Sequence, residues 1–127
     1  LGVTQAEIES TPRSLDNLSY TSYMLRLPYE EGEAEIMAAI LACALSYELI
    51  AAKIVKHKPD SVEHSFYGDW IKGYISEQYS QDNLVLIDKM NQLSVNYTEK
   101  QIQHLVDIFV SCSLYELKFW EMSWKQK

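Results

Sequence analysis

Cysteine is scarce in this chain: 127 residues hold only two, Cys43 and Cys112, with no metal-ligand spacing between them. That excludes a disulfide-stapled scaffold, and it points to a reduced, cytoplasmic setting. Histidine is as sparse; His57, His64 and His104 form no recognisable ligand pattern, so no metal site and no cofactor is expected. Four glycines and three prolines are too few for a linker or a low-complexity segment. Positive charge is also short: 11 Lys and Arg stand against 18 Asp and Glu, a formal net charge of -7. Phosphate neutralisation needs clustered cations, so nucleic acid is not an expected partner. The nearest cluster, Lys53, Lys56, His57 and Lys58, sits at a predicted helix end, where cations complement the helix dipole. No stretch approaches the roughly 20 apolar residues that span a bilayer, so no membrane partner is expected. The first residues read as polar helix rather than as a secretory leader.

What is present is apolar and aromatic. Hydrophobic residues make up 47% of the chain and nine residues are tyrosine, enough for one domain with a real core and for rings lining a pocket or an interface. Every segment reads as helix. An opening turn over Thr4–Ser10 ends near Pro12, and a second helix over Ser14–Leu27 is stopped by Pro28. A third, Glu31–His57, has acids at its start, lysines at its end and a stripe of Ile36, Ile40, Cys43, Tyr47, Ile50 and Ile54. A fourth begins near Ser61 and carries Val62, Phe66, Trp70 and Tyr74 one turn apart, with a bend near Gly73. A fifth covers Ile75–Leu93. Thr98 and Gln101 form a capping-box pattern that opens a sixth helix running to Trp124. No segment alternates like a half-buried strand, so the fold class is all-α, a helical bundle.

On the sixth helix the apolar stripe runs through Ile102, Leu105, Val106, Phe109, Cys112, Phe119, Trp120 and Trp124, and Glu116 falls on it. A carboxylate on an apolar face is usually paired, hydrogen-bonded or held neutral, and a neutral one is a ready general acid. Buried acids also serve purely structural networks, so both readings stand. Cys43 and Tyr47 share a face of the third helix, Cys112 and Glu116 of the sixth, Trp70 and Tyr74 of the fourth. Helices presenting these pairs to one interior would enclose a thiol, a carboxylic acid and aromatic walls. A thiol is the strongest nucleophile in this inventory, although a cysteine on an apolar stripe equally reads as a small buried hydrophobe. Tyr20, Tyr47 and Tyr74 read either as pocket residues or as core residues with satisfied hydroxyls.

These residues carry a resemblance. Ser19-Tyr20-Thr21-Ser22-Tyr23-Met24, Ala38 to Cys43 with Tyr47 behind it, Trp70-Ile71-Lys72-Gly73-Tyr74, and Tyr115-Glu116-Leu117-Lys118-Phe119-Trp120-Glu121-Met122 stand in the order and spacing of the TenA family of thiaminase II type aminopyrimidine aminohydrolases. The resemblance covers nearly the whole chain. It implies a haem-oxygenase-like helical bundle, a homotetramer and a role in thiamin salvage, with thiamin or an aminopyrimidine as the small-molecule substrate. It further implies Cys43 as nucleophile, Glu116 as the acid that protonates the departing amine, and Tyr20, Tyr47 and Tyr74 as residues around the pyrimidine. Haem is not expected, because no histidine stands where a proximal ligand would.

Two positions depart from the family pattern: Ala42 where a proline usually precedes the cysteine, and Leu45 where an aromatic is common. The resemblance also implies that residues 1–127 are the C-terminal part of one TenA-like domain, with upstream helices and their pyrimidine-binding aspartate lying outside them. The chain begins at Leu1 rather than Met, in keeping with a cut or truncated product. On that expectation the fragment alone holds part of an active site and is inactive. The alternative is a non-catalytic pyrimidine-binding or regulatory protein of the same fold.

Overall fold

A computed structural model describes residues 2–125, so Leu1 and the last two positions of the expected 1–127 domain lie outside it. Helix α1 (Gln5–Ser10) is capped by Thr4, whose hydroxyl accepts from the Glu7 N–H while the Glu7 carboxylate accepts from the Thr4 N–H. Helix α2 covers Leu15–Glu30 and α3 Glu33–His57. A 3-10 turn (Pro59–Glu63) leads to the short α4 (Gly68–Tyr74), followed by α5 (Glu77–Ser94) and α6 (Glu99–Lys125). No strand occurs among the described residues. The fold is all-α, as expected.

Three boundaries differ from the sequence reading. Pro28 does not stop α2, which runs on to Glu30. A proline removes only its own N–H bond to the preceding turn, and near the helix end little remains to be lost. The expected fourth helix is split, because Pro59 nucleates a 3-10 turn and α4 starts only at Gly68. Glycine is required there: a Cβ at Gly68 would lie 2.4 Å from the Val62 carbonyl oxygen. Near Gly73 the chain breaks rather than bends, and Ser76 caps a new helix through the Tyr79 N–H.

Helix α3 is the central element; it touches α2, the 3-10 turn, α4, α5 and α6. Its most buried face is not the predicted isoleucine stripe but Ala34, Ala38, Ala39, Ala42 and Ala51, with Ile40 exposed. Small side chains let neighbouring helices approach closely, which is why alanines and not isoleucines take the deepest positions. The larger stripe residues Cys43, Tyr47, Ile50 and Ile54 are half-buried. On α6 the buried row is Leu105, Ile108, Cys112 and Glu116, whereas Ile102, Val106 and Trp124 are exposed.

By length and composition α3 is apolar enough to cross a membrane, contrary to the expectation from the sequence. Alanine supplies much of that apolar character. Its polar Glu48 accepts hydrogen bonds from Ser80 and Asn83 of α5, which ties the helix into the bundle.

Directions follow from the contacts. Ala38 and Leu41 share a groove with Leu105 and Phe109, and Tyr47 meets Trp120, so α3 and α6 run parallel. Tyr20 meets Glu116 and Ser14 meets Met122, so α2 runs against α6. Lys89 reaches Glu33 and Tyr79 reaches Ala44, so α5 runs against α3.

Candidate active site

Glu116 occupies the last position of the buried row on α6 and is only 6% exposed. Its Oε1 accepts a hydrogen bond from the Tyr20 hydroxyl at 2.8 Å. Its Oε2 is buried with no hydrogen-bond partner among the described residues. A buried acceptor left alone costs of the order of 1–3 kcal/mol, and such groups mark places where function outweighs stability.

Tyr20 is held for its bond by stacking. Its ring lies on Tyr115 with centroids 5.3 Å apart and planes 8° from parallel. Burial first, then the hydrogen bond to Glu116, push the Tyr20 hydroxyl far up, so it remains a neutral donor.

Cys43 faces the same carboxylate from α3. Burial pushes its thiol up to about 12, with the nearby Glu116 adding to the effect. The two groups lie close without a directed hydrogen bond between them. At neutral pH Cys43 is therefore a protonated thiol facing Glu116. Cys112 lies one turn before Glu116, is fully buried, and is pushed up to about 11 by burial and then by Glu116. It packs in the core cluster with Leu27, Ala42 and Ile108.

Tyr47, one turn beyond Cys43, has its hydroxyl pushed up by burial and then by the Glu116 charge. Its ring meets Tyr74 at 5.0 Å and Trp120 at 5.6 Å. Tyr74 in turn meets Tyr79 edge-on at 4.9 Å. The five residues singled out in the sequence thus fall into one neighbourhood, with Cys43, Glu116 and Tyr20 at its centre and Tyr74 joined through Tyr47. Of the two departures from the family pattern, Ala42 is fully buried and Leu45 half-buried.

Three features escaped the sequence reading. Tyr115, noted there only within a motif, is the platform for Tyr20. Glu48, which no sequence motif singles out, accepts from Ser80 and Asn83, and the Tyr79 hydroxyl donates to the Ala44 carbonyl at 3.1 Å. Beyond Tyr47 opens a cavity of about 630 Å³ with Trp70, Trp120 and Trp124 in its walls. The one-turn spacing of Glu116, Trp120 and Trp124 was the available signal, but it was read as core; Trp124 is 88% exposed.

The structure also places His104 Nε2 3.2 Å from a Glu31 carboxylate oxygen, with Glu35 alongside. Glu35 already accepts the Gly32 N–H that opens α3, so this group is a helix cap joined to an exposed ion pair.

The chain is 37% identical over 125 residues to an aminopyrimidine aminohydrolase of Helicobacter pylori, covering 98% of this chain and 57% of that protein. It is 32% identical over 127 residues to one of Halalkalibacterium halodurans, covering all of this chain and 56% of the relative. It is 30% identical over 127 residues to one of Bacillus subtilis, covering all of this chain and 52% of the relative. The chain spans about half the length of the curated relatives it matches. Residues 1–126 match the model of the TENA/THI-4/PQQC family, a helical haem-oxygenase-like group, and the chain belongs to that family.

Proposed function

We propose that this chain carries the thiol–acid part of an aminopyrimidine aminohydrolase site, in which aminomethyl-pyrimidine or thiamin is hydrolysed to hydroxymethyl-pyrimidine. The observation that carries the reading is the approach of Cys43 to a buried Glu116 that keeps one oxygen free of partners. The names of the relatives supply the substrate class.

The groups suit the chemistry in a definite order. The Cys43 sulfur adds to the electron-poor pyrimidine ring as its proton passes to Glu116. Tyr20 engages Oε1, which leaves Oε2 as the oxygen that handles the proton. Glu116 then protonates the departing amine of aminomethyl-pyrimidine as its bond to the ring methylene breaks. The thiazolium of thiamin departs as neutral thiazole when the C–N electron pair returns to its nitrogen, and needs no proton. Water adds to that carbon, its surplus proton returns to Glu116, and expulsion of the sulfur restores the thiol. With aminomethyl-pyrimidine one water enters and ammonia and the hydroxymethyl product leave. With thiamin one water enters and thiazole, the hydroxymethyl product and one proton leave, and in both the Glu116 proton returns to the departing sulfur. Tyr47 and Tyr74 offer aromatic surface to the pyrimidine.

The rest of the reading follows from the family. The protein acts in thiamin salvage in the cytoplasm as a homotetramer, without a cofactor, nucleic acid or membrane, with α3 a core helix. Residues 1–127 form the C-terminal part of the domain, and the remaining helices complete the pocket; the share of the relatives that the chain covers supports this. Cys43→Ala and Glu116→Gln in the intact protein test the roles: both must lose turnover, and Glu116→Gln must still bind the pyrimidine. Full hydrolysis by residues 1–127 alone would show that nothing further is needed.

One observation favours the second reading, a pyrimidine-binding protein without turnover: burial keeps the Cys43 thiol protonated. Thiol labelling separates the two. A Cys43 that alkylates readily and is protected by pyrimidine supports catalysis, and an inert one supports binding alone.

A further inference from the structure

We propose that Tyr115 is a positioning residue for the Glu116 acid: by clamping the Tyr20 ring it fixes which carboxylate oxygen is bonded and which is left to move the proton. The inference rests on the reading of Cys43 and Glu116 as the reacting pair.

Tyr115 and Glu116 are neighbours on α6, and at 3.6 residues per turn their side chains leave the helix about 100° apart. Glu116 is buried, whereas Tyr115 is half-buried and borders a shallow groove with Ser111, Leu114 and Lys118. Tyr20 of α2 serves both directions at once. Its ring lies on the Tyr115 ring, 8° from parallel with centroids 5.3 Å apart, while its hydroxyl donates to Glu116 Oε1 at 2.8 Å.

That hydrogen bond needs a fixed ring plane. The torsion that turns a tyrosine ring about its own axis has a broad well, so rotamer preference leaves the plane loosely set. Turning the ring does not move the phenolic oxygen, but it swings the O–H, which conjugation holds close to the ring plane. The bond weakens as the hydrogen leaves the line to its acceptor. Stacking on Tyr115 sets the plane and so aims the O–H at Oε1. Tyr115 is backed in turn by the Tyr23 ring at 5.4 Å, and Tyr20 and Tyr23 stand about one turn apart on α2. One helix therefore grips the clamp on two sides. With Oε1 held, the two carboxylate oxygens do not interchange, and the partnerless Oε2 stays the one that handles the proton.

The test measures kcat, KM and pH profiles for aminomethyl-pyrimidine in the intact protein. Tyr20→Phe removes the hydroxyl and should lower kcat by about 10- to 100-fold. Tyr115→Leu and, separately, Tyr115→Ile keep the hydroxyl and remove the stacked ring. Each should lower kcat by about 3- to 10-fold, with KM within about twofold of wild type. Tyr115→Phe retains the ring and should recover kcat to within about twofold. The acidic limb of the kcat/KM profile should move in the same direction in Tyr115→Leu as in Tyr20→Phe. In a Tyr20→Phe background Tyr115→Leu should cost less than about twofold more, because no hydroxyl is left to aim. Losses that multiply in the double variant, wild-type kcat in both ring-removing variants, or a loss that Tyr115→Phe does not recover would overturn the positioning role. Those outcomes leave the reacting pair standing if Cys43→Ala abolishes turnover. Turnover that survives Cys43→Ala would instead overturn the pair, and the clamp's purpose with it.

Discussion

Helix α3 meets its neighbours through two polar seams, and they are built on opposite terms. On the α5 side Glu48 accepts from both Ser80 and Asn83, and Asn83 is 3% exposed. There both carboxylate oxygens are engaged. On the α6 side Glu116 is buried more deeply than the half-buried Glu48, yet only Oε1 is engaged, and a thiol lies against it. A carboxylate with both oxygens occupied fixes one helix against another. A carboxylate with one oxygen held and one idle keeps a position for a proton or a substrate. The contrast is informative because both acids stand against the same core helix, Glu48 as part of α3 and Glu116 facing it from α6.

The strongest way to break this comparison is at the idle seam. Cys43→Ala should lower kcat/KM for aminomethyl-pyrimidine by about 10³-fold or more in the intact protein, with little change in melting temperature. A residual activity within tenfold of wild type would remove the nucleophile from the account. Glu116→Gln keeps an acceptor for Tyr20 but moves no proton, so kcat should fall by about 10²- to 10⁴-fold while pyrimidine affinity is spared. Loss of affinity without loss of kcat would make Glu116 a binding residue instead.

At the satisfied seam the expected loss is of stability. Asn83→Ala leaves the half-buried Glu48 with one donor fewer, and should destabilise by about 1–3 kcal/mol in thermal or denaturant unfolding. Activity at low temperature should survive. A tenfold loss of kcat in a folded Asn83→Ala protein would dissolve the distinction between the seams.

The pH dependence sharpens the same contrast. Cys43 and Cys112 hold their protons more tightly folded than unfolded, up to about 12 and about 11 against an ordinary value of 9. Between those limits the folded state binds more protons than the unfolded one, so stability falls as pH rises from 9 toward 12. Glu116→Gln removes a charge that raises both thiols, and Cys43 alkylation should then begin at lower pH; an unchanged alkylation profile would show that burial alone sets the thiol. The smallest effect belongs to the exposed Arg26–Glu30 pair of α2, where Arg26→Ala should leave the melting temperature almost unchanged.

Much of this was legible in the sequence. Charge order and Pro59 placed the end of α3, Thr98 and Gln101 placed the start of α6, and periodicity put Glu116 on the buried row. Motif spacing brought Cys43, Tyr47 and Glu116 to one place. The rest was hidden for physical reasons. Apolar stripes favour large residues, so α3 read as an isoleucine helix although closest packing belongs to Ala38, Ala39 and Ala42. Proline signalled a stop at Pro28, but its cost depends on how much helix follows. The Glu48 network joins positions 32 to 35 residues apart, and a lone glutamate beside a stripe gives no sign of a partner at that range. Helix direction and the length of the aromatic row became evident only once the pairing of α3 with α6 was known.

The alanines have a further consequence. Ala38, Ala39 and Ala42 act as shims of minimum thickness in the packed faces of α3, and Cys43 and Glu116 project into the gap that those faces border. How far a sulfur stands from a carboxylate here is therefore governed by methyl groups that take no part in any chemistry. A single larger side chain at Ala42 would act as a wedge, parting two reactive groups that it need never touch.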